Sequence, residues 1–186
     1  MNICVYCSSS ENLREEFYKT AAELGKCIAK RGHTLVFGGS NKGTMRAVAD
    51  GVYRNGGDVI GVVPGVFKGR ENFVFPNLKQ LVWTETMHER KATMEGFADA
   101  FVILPGGIGT MDEFFEAFVL NYLNVMDKPI AIYNACGIYD HLIAFLEDMV
   151  REKFLPEESF KSIRCLTDAE EILDYLETAA MDRQVV

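Results

Sequence analysis

AFVILPGGIGTMDEFFEAF, residues 100–118, sets five apolar residues against a proline, three glycines and then an amphipathic segment. The pentad at 100–104 has the length and continuity of a strand buried on both faces, as in a parallel sheet. Downstream, Met111, Phe114, Phe115, Phe118, Val119, Tyr122, Leu123 and Met126 recur at i, i+3 and i+4. That spacing predicts a helix over 110–126 with one buried apolar face. Glycine costs backbone entropy, so three of them between strand and helix mark an unusual dihedral or a close approach.

The same alternation runs through the chain. Short apolar runs predict strands at 3–7, 34–38, 59–63, 78–83, 100–104, 129–133 and 163–166, and helical periods predict helices at 12–31, 44–55, 87–97, 110–126, 138–153 and 168–180. Strands alternating with helices predict an α/β domain with a mostly parallel sheet of about seven strands. We read a single domain over 1–180 and a short tail over 181–186. The segment PGVFKGRENFVFPN, 64–77, is the one long connection and a candidate site loop. In such a sheet ligands bind beyond the carboxyl ends of the strands. CSSSEN, GGSNKGT, the long loop and PGGIGT should therefore gather there.

Composition narrows the function. A chain of 186 residues, 48% apolar, buries about 70% of its unfolded surface in one core. No apolar run has the length of a membrane span or the setting of a signal peptide, so a cytoplasmic protein is expected. Five cysteines without scaffold density fit reduced thiols. Cys4 and Cys7 form C-x-x-C, but three apart on a strand they face opposite ways, and no second pair completes a zinc site. No metal or other cofactor is expected. A net charge of -8 and a pI near 4.9 argue against nucleic acid or an anionic membrane as partner.

The glycines exclude two nucleotide folds and leave one chemistry. CSSSEN replaces the G-x-G-x-x-G that a dinucleotide enzyme carries after its first strand. GGSNKGT breaks the Walker order, because Gly43 is followed by Thr44. Gly106, Gly107 and Gly109 offer backbone N–H groups at a helix mouth, where the dipole favours an anion such as a phosphate; a tight turn with no ligand is the alternative. Thr110 and Glu113 match a capping box, S/T-x-x-E. A carboxylate within a turn of a phosphate also repels it, which suits Asp112 or Glu113 to work on a sugar or a water instead.

In TETMHERKATMEGF, 84–97, Thr86 and Glu89 match a second capping box. Met87, Lys91, Met94 and Ala98 share one face of the helix with Arg90 at its edge, which puts two cations on a surface built for burial. A buried cation needs an anion, either a protein carboxylate or a ligand phosphate. HERKA lacks the second histidine of a zincin helix, and His33, His88 and His141 receive no catalytic role.

MHERKATM followed by a strand and PGGIGTMDE together resemble the signature of the LOG family, the cytokinin riboside 5'-monophosphate phosphoribohydrolases, many of which carry the label lysine decarboxylase. The similarity runs from VYCSSS through ADAFVILPGG to KPIAIYN. It implies a doubly wound, Rossmann-like fold, a homodimer, and hydrolysis of a nucleoside 5'-monophosphate to free base and ribose 5-phosphate. It implies a catalytic pair at Arg90 and Glu113. It also implies substrate contacts at Ser9, Gly39, Glu71, Met87, Lys91, Gly106, Gly107, Ile108, Gly109 and Thr110. Family members often show C-G-S-S after the first strand and G-G-G-x-x-G-L-M-G after the second, where this chain has Ser8, Ser40, Thr44 and Arg46. A binding protein without the chemistry, of the kind found in the related molybdenum cofactor carriers, is the alternative reading.

Overall fold

The computed structural model describes residues 1–70 and 72–183. Seven strands, β1 (Asn2–Tyr6), β2 (Thr34–Phe37), β3 (Asp58–Pro64), β4 (Gln80–Thr84), β5 (Ala100–Ile103), β6 (Ile130–Tyr133) and β7 (Ile163–Leu166), form one sheet in the order β4-β3-β2-β1-β5-β6-β7. Every neighbouring pair is parallel. Parallel strands need crossovers, which the helices α1 (Glu15–Lys30), α2 (Gly43–Arg54), α3 (Met87–Phe97), α4 (Ile108–Tyr122), α5 (Asp140–Arg151) and α6 (Glu157–Lys161) supply, with α7 (Ala169–Arg183) closing the chain. The result is the expected doubly wound α/β fold.

Strand alternation divides the interior into two cores, one on each face of the sheet. Ile3, Val5 and Cys7 belong to the core that also holds Leu24, Phe37 and Leu173. Cys4 and Tyr6 belong to the other, with Phe101, Ile103, Met94 and Phe114. Cys4 and Cys7 are thus buried on opposite faces as free thiols, as their spacing predicts.

Several boundaries differ from expectation for local reasons. The helix expected over 110–126 begins at Ile108 and stops at Tyr122, because Asn124 takes a left-handed φ of 54° that no continuing helix accommodates. Its apolar stripe is not one buried face: Phe114 and Phe118 are core, whereas Phe115, Val119, Tyr122 and Leu123 are exposed. Helix α6, set off by Pro156, has five residues and too short a period to show in the sequence. Helix α7 continues to Arg183, three residues into the expected tail.

The strand order fixes where a ligand crevice opens. From β1 the chain winds outward to β4, then returns to the middle and winds the other way from β5. The loops after β1 and β5 therefore diverge at the switch point, above adjacent strands.

Candidate active site

At that switch point lies a cleft of about 340 Å³, walled by the loop after β1, the loop after β2, the loop after β3 and the start of α4. Ser9, Met87, Gly107, Ile108, Gly109 and Thr110 all line it, together with Arg90 and Glu113.

Helix α3 sets the cations. Thr86 is its N-cap, and its hydroxyl accepts from the Glu89 N–H at 3.0 Å. The Glu89 carboxylate reaches back to the Glu85 N–H at 2.7 Å, one residue ahead of the cap. The cap half of the box is thus formed as expected, while the acid closes one residue further out, on Glu85 instead of the Thr86 N–H. The cap starts α3 at Met87 and brings Arg90 beneath the carboxyl ends of β2 and β3. There its Nε donates to the Val62 carbonyl at 3.2 Å and its Nη1 to Glu113 Oε1 at 2.6 Å. Arg90 and Glu113 are 5% and 6% exposed. A Cβ on Gly38 would collide with Arg90 Nη2, so the glycine after β2 makes room for the guanidinium.

Burial pushes the Glu113 carboxyl above its ordinary value, and the neighbouring Arg90 charge pulls against that rise. A buried acid shifted by desolvation and by one specific charge partner, in a cleft, is a setting typical of functional groups.

The second capping box is not formed. Helix α4 is capped by Gly107, so Thr110 lies inside the first turn, and Glu113 points at Arg90 instead of back at a cap. Gly107 has no side chain with which to cap the helix, which leaves the first amides of α4 without a side-chain cap among the described residues and facing the cleft. Gly106 is different. Its N–H donates to the Tyr139 hydroxyl at 3.1 Å, and that hydroxyl donates in turn to the Leu104 carbonyl at 2.7 Å. The amide nest thus begins after Gly106. The Thr110 side chain lies over Gly106, where a Cβ would overlap its Oγ1, and that Oγ1 is buried with no protein partner among the described residues.

Besides Gly106, which is not part of the cleft wall, two expected contacts fall elsewhere. Lys91 does not line the cleft; its ammonium binds Asp112 at 3.0 Å and Glu116. Burial alone would lower the Lys91 pKa, but those carboxylates raise it. The anion on this face of α3 is therefore protein for Lys91 and, in part, protein for Arg90. Gly39 also stays out of the cleft wall, with φ 75° and its carbonyl accepting from the Phe75 N–H at 2.8 Å. Glu71 lies outside the described residues.

The cleft also holds residues that the sequence left unassigned. Phe67 and Phe73, both from the long connection, stack with ring centres 3.8 Å apart and planes 2° apart, and Met45 and Ser40 adjoin the same space. Aromatics inside a long loop were the available signal. Tyr139 gave none, because IYD between a strand and a helix looks like any capping segment.

A profile of the family described as "Possible lysine decarboxylase" matches residues 45–176. The cytokinin riboside 5'-monophosphate phosphoribohydrolase LOG of Oryza sativa subsp. japonica is 37% identical over 183 residues, covering 98% of this chain and 75% of the rice protein. The cytokinin riboside 5'-monophosphate phosphoribohydrolase of Mycobacterium tuberculosis is 42% identical over 148 residues, covering 80% and 78% of the two chains. The chain belongs to the LOG family. Its fold extends beyond LOG proteins. The molybdenum cofactor carrier protein of Chlamydomonas reinhardtii superposes with a TM-score of 0.74 at 21% identity over 96% of both chains. The molybdenum cofactor binding protein of Rippkaea orientalis gives 0.73 at 21% over 95% of both.

Proposed function

We propose that this LOG-family chain hydrolyses the N-glycosidic bond of a nucleoside 5'-monophosphate, AMP or an N6-modified AMP, to free base and ribose 5-phosphate. One observation carries the reading: Arg90 and Glu113, from different helices, pair at 2.6 Å beside a helix N-terminus with open amides. The relatives named above, phosphoribohydrolases by description, support it.

The phosphate is assigned to the amides of Ile108, Gly109 and Thr110 and to the Thr110 hydroxyl, where the α4 dipole favours an anion. Ser9, from the loop after β1, faces the same end. Breaking the bond from ribose C1' to the base nitrogen builds positive charge on the sugar, as in glycoside hydrolysis. The Glu113 carboxylate stabilises that charge, and it orients the water that attacks C1' and accepts its proton. The bonding pair leaves with the base, whose ring nitrogen takes up a proton from solvent. Arg90 keeps Glu113 ionised and fixed in place through a planar, pre-organised fork. Met87, with Phe67 and Phe73, forms the apolar end of the cleft for the base. Lys91 acts from outside, holding α3 to α4 through Asp112 and Glu116. A protonated lysine between two carboxylates is also a poor Schiff-base nucleophile, which disfavours the decarboxylase label.

We infer that the protein is a single-domain cytoplasmic homodimer. One sheet carries both cores, and Cys4, Cys7 and Cys27 are free thiols. No helix among the described residues is long and apolar enough to cross a membrane. Along α4 and its C-cap residue, Phe115, Val119, Tyr122 and Leu123 expose apolar side chains at helical spacing, a row suited to a second copy.

Chromatography of incubations with a panel of nucleoside monophosphates tests the reading. Free base and ribose 5-phosphate should appear in equal amounts. Binding of AMP without release of adenine would favour the carrier alternative.

A further inference from the structure

Ser40 is 1% exposed, and among the described residues its hydroxyl has no hydrogen-bond partner, yet the residue forms part of the cleft wall. A buried hydroxyl without a partner is destabilising, so its retention on the wall of a site calls for a ligand group that satisfies it. We propose that Ser40 is a specificity-determining residue that hydrogen-bonds the polar edge of the substrate's base. The inference rests on the nucleotide reading above.

Placement argues for the base over the sugar or phosphate. The open amides follow β5, whereas Ser40 follows β2, two strands from β5 across the sheet. At about 4.8 Å per strand that is roughly 10 Å from the phosphate end. Ser40 is also built into the aromatic end of the cleft. Its backbone bridges Val74, while the Asn41 N–H donates to the Phe73 carbonyl at 2.6 Å and the Phe75 N–H to the Gly39 carbonyl at 2.8 Å. These bonds stitch Ser40 to the part of the long connection that carries Phe73, whose ring stacks on Phe67. The aromatic pair supplies a face for a ring, and Ser40 supplies the directional group beside it. Rotation about one torsion aims the hydroxyl, which can donate or accept.

The test measures dissociation constants by calorimetry in a Glu113→Gln background, which slows turnover. The probes are AMP, ribose 5-phosphate, purine riboside 5'-monophosphate and the 1-, 3- and 7-deaza analogues of AMP. Ser40→Ala should weaken AMP about tenfold, the equivalent of one hydrogen bond, and leave ribose 5-phosphate within twofold. One analogue, lacking the contacted base atom, should bind parent and variant alike. Ser40→Gly should repeat the pattern if Ser40→Ala perturbs folding. Unchanged AMP affinity, or equal losses for AMP and ribose 5-phosphate, would overturn the proposal. If the parent itself binds no AMP, the nucleotide reading fails first, and that outcome is distinct because no variant is needed to see it.

Discussion

Arg90 and Glu113 stand 23 positions apart in the chain, on α3 and α4, and meet through a 2.6 Å hydrogen bond with both side chains almost fully buried. Because such a pair is desolvated, its value lies less in stability than in what each partner does to the other. Removing one partner should hurt more than removing both. Arg90→Met leaves a buried carboxylate unpaired and should cost about 3–5 kcal/mol in urea unfolding. Adding Glu113→Gln to that variant should restore a large part of the loss. Additive losses in the double variant would argue against direct coupling.

The same pair sets a pH dependence. Burial raises the Glu113 pKa above 4.5 and Arg90 limits the rise. The ionised form is the active one, so kcat/KM should fall as pH drops through this raised value, with an acid limb above 4.5. In Arg90→Met the limb should move further up. The stability effect has the opposite sense: a raised folded-state pKa favours folding below the unfolded value, and that contribution is lost as pH rises through the folded one. An acid limb at or below the ordinary glutamate value would contradict the assignment.

Tyr139 provides a check on the phosphate end. Its hydroxyl holds Gly106 N–H and Leu104 C=O together, and so shapes the turn that presents the α4 amides. Tyr139→Phe should raise KM for a nucleoside 5'-monophosphate by about tenfold, while kcat changes little. Binding of the corresponding nucleoside, which lacks the phosphate, should not change. A loss shared equally by both ligands would mean that Tyr139 merely supports the core.

The exposed row on α4 gives a prediction about assembly. Leu123→Glu places a charge within the apolar patch formed with Val119 and Tyr122. Light scattering after size exclusion should show the parent as a dimer and the variant shifted toward monomer, with the far-ultraviolet spectrum preserved. A parent that is monomeric at micromolar concentration would remove this surface from the account.

Glu95 supplies a stability prediction independent of catalysis. Desolvation first, then the nearby Glu116 charge, raise its pKa to about 7, against the opposing pull of Lys91 and Lys128. Its folded-state preference for the proton is fully felt below 4.5 and lost as pH climbs past about 7. Glu95→Gln should therefore gain in melting temperature relative to the parent as pH rises across that window, by a few degrees at pH 8. An equal difference at pH 4 and pH 8 would refute it.

The fold was largely written in local patterns. Continuous apolar runs such as AFVI mark strands covered on both faces, and the Thr86 cap with Glu89 fixes α3 to the residue. Local pattern failed where tertiary pairing decides. Thr110 and Glu113 satisfy a capping spacing, but Gly107 ends the loop earlier and the buried guanidinium of Arg90 claims the carboxylate. Lys91 reads like Arg90 in one dimension; only the packing of α3 on α4 shows Asp112 and Glu116 facing it. Exposure of Phe115 and Leu123 is likewise invisible to periodicity, which counts apolar residues without saying what covers them. Gly38 and Ser40 lie in a segment expected near the site, yet their parts depend on side chains from α3 and from the long connection.

The most direct test of the central claim compares Glu113→Gln with the parent in two measurements on AMP, the turnover rate for adenine release and the dissociation constant of the nucleotide. In Glu113→Gln, kcat should fall by about a hundredfold or more with affinity within a few-fold of the parent. Undiminished release of adenine by the variant would contradict it.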